Sequence, residues 1–436
     1  MTIINQVNSH ILDSLQTSRV VAVPYKENTQ SHYIKDKLSV VYINDLRGGE
    51  YVIGINHTDL PRNSPTILAK LSKYEVVALD SRFINKYIKC IDYEQLYWYF
   101  TNQEIPEDFL QPAVSTLYRR ILGDIPQLVN FIPVLKLTQH AQTIVSYYNM
   151  QLGKYQIDYG VKYYNDVILH NLLKIESSGL AVSVGKQKQY GYYRIHSTTG
   201  RPSNHFDSVN YMSLNKTDGT RSKYVSSFIK GRLVEFDFRA FHPTLIAKLI
   251  GYDFKGQNPY EVLAQQYYDT AQPTPDQITS AKTFTFQQLY GGVDMRYRHI
   301  AFFEQMNHLT KNLWELGREQ GYVETPIAKR KMYLNFYEDL NPPKLFNYYI
   351  QAFETEYMGG VLTKVHNSLT GFNSKVVLYV YDSFLLDFDQ ICDSFQLLND
   401  IYKQLNALGL HYTIKVGTDY NNLTQLVESR VGMTVK

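Results

Sequence analysis

The chain has 436 residues, enough for several subdomains with cores of their own, and its 44% hydrophobic and 19% charged residues are those of a globular protein. No apolar run approaches the roughly 20 residues needed to cross a bilayer, and a net charge of +3 excludes nothing about nucleic acid, which needs only local basic stripes. Two cysteines, Cys90 and Cys392, give neither a disulfide framework nor a zinc spacing, and the start at Met1–Gln6 lacks a basic and apolar leader, which together point to a reducing cytoplasm and away from a membrane.

In chain order, Leu38–Ile43 and Tyr51–Asn56 flank a Gly48–Gly49 turn and read as a hairpin. Tyr74–Leu79 reads as a further buried strand, residues 82–101 as helical, and Pro106 and Pro112 punctuate the end of this small α/β unit. Residues 113–177 carry apolar repeats at helical spacing, among them Val167-Ile168, Leu172-Leu173 and Ile175, closing at Gly179. Residues 180–250 turn β-rich and end in a strand followed by a helix whose first turn holds Pro243. Residues 252–335 are again helical, and the tail combines a helix over 345–368, a hairpin and a final α/β segment.

Two acids stand out. Asp237 ends the apolar run Arg232-Leu-Val-Glu-Phe, and Asp382 ends Val376-Val-Leu-Tyr-Val-Tyr381. An ionised carboxylate at the end of a buried strand loses hydration and needs compensation, and two brought together repel unless a divalent cation joins them. Between them lies Thr279-Ser-Ala-Lys282-Thr-Phe-Thr-Phe286-Gln-Gln-Leu-Tyr290-Gly291. On a helix this places Lys282, Phe286 and Tyr290 along one stripe, with Ile278, Ala281, Thr285 and Leu289 on a separate, core-facing one. A cation followed by two rings can hold phosphates at one end and stack on a base at the other, although an amphipathic helix with a glycine stop has the same spacing.

A strand-borne Asp, a Lys-x3-Phe-x3-Tyr-Gly helix and an Asp in a later hairpin resemble motifs A, B and C of family A DNA polymerases, of a compact phage or mobile-element type. Further segments resemble the family in order: Lys174–Leu180 near the thumb, Thr199-Gly-Arg201-Pro-Ser before motif A, Gly321-Tyr-Val-Glu-Thr325 beyond the fingers, and Asn347-x3-Gln351 on a helix facing the duplex. The resemblance covers roughly residues 170–436 and implies an α+β right-hand fold. Residues 1–110 would be a reduced exonuclease-like domain, 111–185 the thumb, 186–251 and 336–436 the two parts of the palm, and 252–335 the fingers. The implied activity is addition of deoxynucleotides to a primer 3′-hydroxyl by two-metal phosphoryl transfer. Asp237, Asp382 and the Phe238 carbonyl would hold two Mg2+ ions, with Mn2+ as a substitute, and Lys282 would be catalytic as well as phosphate-binding. Phe238, His242, Phe286, Tyr290 and Gly291 would shape the nucleotide pocket. Arg201, Asn210, Arg221, Asn347, Gln351, Tyr381 and Ser383 would touch the primer–template. The implied partners are primer–template DNA, dNTPs and replication accessory proteins, for a monomeric enzyme.

Several positions depart from the family pattern. His242 replaces the Glu that usually excludes ribonucleotides, Ser383 replaces the Glu after the motif C Asp, and Ile278 stands where a basic residue is expected. Lys329, Arg330 and Lys331 are alternative phosphate-binding cations, or else a solvated charge run. The first unit lacks the Asp-x-Glu of a proofreading nuclease, with Asp45 and Asp80 as its nearest acids, so no proofreading is expected. Two other readings stay open: a single-subunit RNA polymerase or primer-synthesising enzyme of the same superfamily, and an inactive subunit that only binds primer–template.

Overall fold

The computed structural model describes residues 1–27, 32–106, 129–204, 210–429 and 432–435. The chain divides into two compact units, Met1–Asn165 and Asp166–Lys436. The expected boundary at 110/111 and Pro112 lie outside the described residues.

In the first unit the strands are β1 (Thr2–Ile4), β2 (Arg19–Lys26), β3 (Leu38–Asn44), β4 (Glu50–Gly54), β5 (Glu75–Ala78) and β6 (Ile91–Asp92). They form one six-stranded sheet in the order β1-β4-β3-β2-β5-β6. The expected hairpin is β3–β4, and its turn is closed by Asp45, whose carboxylate accepts from the backbone of Gly49 at 2.7 Å and Arg47 at 2.9 Å. Strand β2 was not expected, because Pro24 interrupts its apolar run. Its pairing with β5 covers only Arg19–Ala22, so Pro24 falls where no ladder on that side needs its missing N–H. The expected helical stretch 82–101 is two helices, α1 (Ser81–Ile84) and α2 (Tyr93–Thr101), with β6 between them. Asp92 makes the break: its side chain accepts from Gln95 N at 2.9 Å as the cap of α2 and from Ser81 Oγ at 2.6 Å. Helix α3 (Val134–Leu152) is tied to this sheet by the Tyr25 hydroxyl, 2.8 Å from both Leu137 O and His140 Nδ1.

The second unit is built on a sheet of six strands. They are β7 (Arg232–Phe238), β8 (Lys375–Val380), β9 (Ser383–Phe388), β10 (Tyr412–Gly417), β11 (Leu423–Ser429) and β12 (Gly432–Val435), ordered β8-β9-β7-β10-β11-β12 with antiparallel neighbours. Strand β7 is central, so Leu233, Val234 and Phe236 are wholly buried. Its helices are α5 (His170–Ser178), α6 (Phe241–Ile250), α7 (Pro259–Tyr268), α8 (Pro275–Gly291), α9 (Ala301–Gln320), α10 (Pro342–Ser368) and α11 (Gln396–Ala407); α4 (Tyr159–Tyr163) belongs to the first unit. The β-rich reading of 180–231 holds only as short strands of two or three residues. A core of α6–α10 side chains, including Ile246, Leu289, Phe302, Phe303, Phe346 and Ile350, holds α8 against α6, α9 and α10. The segment Gly321–Thr325 opens a hairpin, Tyr322–Glu324 against Lys331–Tyr333. Buried Glu356 of α10 steadies its turn by accepting from the backbone of Ile327 and Ala328 at 2.8 and 3.1 Å.

Candidate active site

Asp237 is the penultimate residue of β7, and Asp382 lies in the two-residue turn Tyr381–Asp382 between β8 and β9. A backbone hydrogen bond from Phe238 N to Asp382 O, 2.9 Å long, stitches the two segments together, and Asp237 faces Ser383 in the ladder. Tyr381 has φ of +54°, an uncommon conformation for a side chain of its size. The Arg201 guanidinium stacks on its ring at 3.8 Å, and Ser383 Oγ donates to Val380 O at 3.1 Å. Both contacts hold the turn that presents Asp382.

After β7 the chain turns through Ala240 at φ +47° into α6, which aims His242 back at the acids. His242 Nδ1 lies 2.6 Å from the Tyr290 hydroxyl, and its Nε2 lies 3.4 Å from Glu354 Oε2. Glu354, on α10, is 1% exposed and pairs with Arg201 through Nε at 2.9 Å and Nη2 at 3.1 Å. Burial alone would raise the Glu354 carboxyl; His242 and Arg201 overcome it and hold its pKa below the ordinary value. The network thus assigns an ionised Glu354 with a proton on His242 Nε2 facing it, while His242 Nδ1 and the Tyr290 hydroxyl share a hydrogen bond. Burial, with Glu354 and Asp382 adding to it, pushes the Tyr290 phenol up to about 12.

The remaining acids carry opposing influences. Lys415 of β10 contacts Glu235 Oε2 at 2.9 Å and Asp237 Oδ2 at 2.7 Å. Asp382 carries no ion pair among the described residues, and desolvation, Glu354 and Asp237 together push its carboxyl upward. This surplus negative charge suits a hard divalent cation, and the donors are oxygens. No group of three or more His, Cys, Asp and Glu side chains suited to a metal is found among the described residues. A metal centre would therefore rest on the two carboxylates, the Phe238 carbonyl and oxygens supplied by substrate.

Helix α8 begins with a capping box between Thr274 and Gln277 and ends at Gly292, φ +90°. Its core face is Ala281, Thr285, Gln288 and Leu289, with Ile278 only half-buried. Phe286 and Tyr290 stack with ring centroids 5.7 Å apart, and Lys282 is exposed on the same stripe. Asp237, Phe238, His242, Lys282, Phe286, Tyr290, Arg201, Glu354, Asp382 and Lys415 line one cavity of about 460 Å³. Gly291 has open space around its α-carbon but is not among the lining residues.

Other expected residues lie elsewhere. Arg221 donates through Nε and Nη2 to Leu214 O at 3.0 and 2.8 Å and stacks over Tyr420 at 4.6 Å, while exposed Asn210 accepts from Ser213 N. Asn347 and Gln351 bond to each other at 2.8 Å on α10, one turn before Glu354. The solvated reading of Lys329–Lys331 fails at Arg330, which is 0% exposed and donates to Thr198 O at 3.1 Å. The hairpin turn folds its side chain inward, where it is close to buried Glu356. Glu354, Lys415, Glu235 and Arg239, which also lines the cavity, were not expected. Glu354 was within reach, since it continues the 347–351 stripe by three residues. Lys415 gave only the signal of a lone cation in an apolar strand.

No known family profile matches the chain, and no curated protein matches it. Solved structures do match. The polymerase domain of Pol1 from M. smegmatis, in complex with DNA primer–template and dNTP, aligns with a TM-score of 0.70 at 11% identity, covering 97% of this chain and 99% of that one. The chain therefore has the fold of a Pol I polymerase domain, the α+β right-hand architecture.

Proposed function

We propose that this chain is a template-directed DNA polymerase of the family A type, adding deoxynucleotides to a primer 3′-hydroxyl. The observation that carries the reading is the meeting of Asp237 and Asp382 in one cavity with Lys282, Phe286 and Tyr290. In this reading 186–251 and 336–436 are palm and 252–335 fingers, all within the second unit, whereas the expected thumb at 111–185 is divided, its residues 129–165 belonging to the first unit. Primer–template DNA and dNTPs are the partners in this reading.

Asp237, Asp382 and the Phe238 carbonyl would hold two Mg2+ ions, which when bound activate the 3′-hydroxyl and neutralise the triphosphate. The chain's own side chains position the substrate. Lys282 and Arg239, both exposed on the cavity rim without an ion pair among the described residues, bind the phosphates, so Arg239 makes good the cation missing at Ile278. Phe286 stacks on the incoming base. Both His242 nitrogens face protein partners, so the ring meets a sugar as a wall and offers no hydrogen bond to a 2′-hydroxyl. That favours deoxynucleotides over the RNA polymerase alternative. Asp45, one of the two acids nearest a nuclease motif, is engaged in a turn, which supports a first unit without proofreading.

Primer extension with deoxynucleotides against ribonucleotides is the test, run on the wild type, Asp237→Ala and Asp382→Ala. Extension with deoxynucleotides alone is expected, lost in both variants while a gel shift shows retained duplex binding. Unchanged synthesis in either variant would refute the site, and efficient ribonucleotide synthesis without a primer would replace the DNA reading with the RNA one.

A further inference from the structure

Lys415 has no part in the phosphoryl-transfer scheme above, yet it makes the closest ionic contact to the acid at the centre of the site. Glu235 and Lys415 are direct partners in the β7–β10 ladder, and Asp237 lies two residues along the same face of β7. A lysine arm rising between them reaches both, with Nζ 2.9 Å from Glu235 Oε2 and 2.7 Å from Asp237 Oδ2. Glu235 is 6% exposed and cannot lose its partner to water, so the ladder fixes the lysine in place.

The geometry points to Lys415 as a built-in counter-ion that weakens metal binding at Asp237 until substrate charge arrives, an inference that rests on the metal assignment proposed above. A carboxylate oxygen already neutralised by an ammonium attracts a second cation less, and two cations near one carboxylate repel. Glu235 moderates this by sharing the ammonium. The triphosphate, entering from the Lys282 and Arg239 side of the same cavity, supplies the negative charge that offsets Lys415. The cation is thus drawn in with the nucleotide and is held weakly in its absence.

The test is a titration of the full chain with Mn2+ alone, without nucleotide or DNA, following free Mn2+ by electron paramagnetic resonance. Lys415→Gln is expected to tighten binding by at least about fivefold, the lower end of ordinary site-to-site coupling. Lys415→Arg keeps the charge and should stay close to the wild type. Glu235→Gln leaves the ammonium wholly to Asp237 and should weaken binding, and structural damage, which only weakens, would not produce this pair of opposite shifts. Should Lys415→Gln fail to fold by circular dichroism, the Glu235→Gln result decides alone, and there unchanged or tighter binding overturns the inference. Where Lys415→Gln folds, unchanged or weaker binding overturns it. Asp237→Asn separates the two levels of the argument: if it leaves Mn2+ binding untouched, the metal assignment fails, whereas weaker binding there with no response at Lys415 sinks the counter-ion role only.

Discussion

Glu354 of α10 and His242 of α6 meet at 3.4 Å, and the carboxylate is 1% exposed. Desolvation is offset only by His242 and Arg201, and the resulting pKa lies below the carboxyl's ordinary value of 4.5. Removing one partner of such a buried pair typically costs about 3–5 kcal/mol, because the other is left uncompensated. Glu354→Ala should therefore lose roughly 3 kcal/mol in urea unfolding, and Glu354→Gln less, since its amide still accepts from Arg201. The pH dependence has a definite sign. A depressed folded pKa gives stability that is present above the unfolded value and lost as pH falls through the folded one. The gap between wild type and Glu354→Gln should be full at pH 7 and should narrow below about pH 4.5. A gap that stays constant into acid would mean the carboxylate's charge is not what stabilises the fold.

In the proposed reading, sugar choice turns on His242. With Nδ1 bonded to the Tyr290 hydroxyl and Nε2 toward Glu354, the ring is held from two sides and cannot swing away from a 2′-hydroxyl. His242→Ala should raise ribonucleotide use relative to deoxynucleotide use by about 10–100-fold, in line with the 1–3 kcal/mol that shape exclusion by an apolar pocket supplies. Tyr290→Phe should relax it less, because the ring keeps its Glu354 contact. The comparison is kcat/KM for a deoxynucleotide against its ribonucleotide on one primer–template. An unchanged ratio in His242→Ala would remove the imidazole from sugar selection.

The acids and the helix stripe were legible in the sequence because each is a local pattern. Asp237 and Asp382 close short continuous apolar runs, and Lys282, Phe286 and Tyr290 repeat at period four, so their elements followed without tertiary knowledge. The charges that modify them were not legible. Lys415 acquires its meaning only from the register that sets it opposite Glu235, and a shift by one residue would turn it to the other face. Glu354 lies on the 347–351 stripe, but its pairing with His242 depends on where α10 crosses α6, which no spacing encodes. Arg330 misled for a related reason. Three consecutive cations read as solvated, yet a hairpin turn with Lys329 at φ +57° rotates the middle one into a site beside Glu356 and Thr198. Strand β2 was hidden by Pro24, which is tolerated only because β5 ends its pairing at Ala22.

Asp382 gives the prediction in which stability and function part. Its carboxyl is raised by desolvation, by Glu354 and by Asp237, so in the metal-free protein its charge is a net cost to folding at neutral pH. Unlike Asp237, it has no lysine beside it. Asp382→Asn keeps the shape of the turn and the backbone bond to Phe238 while removing that charge. The carboxyl lies at the exposed mouth of the cavity, where solvent screens the repulsion, so the gain is small, below about 1 kcal/mol, or a degree or two in Tm for a chain of this size. The same change takes away an oxygen ligand that the proposed chemistry requires, and primer extension should fall to background. Thermal melts in chelator should therefore place the inactive variant above the wild type, and added Mg2+ should stabilise the wild type more than the variant. A variant that melts below the wild type in chelator would show that Asp382 is held by favourable contacts, and the case for a cation joining it to Asp237 would lose its electrostatic basis.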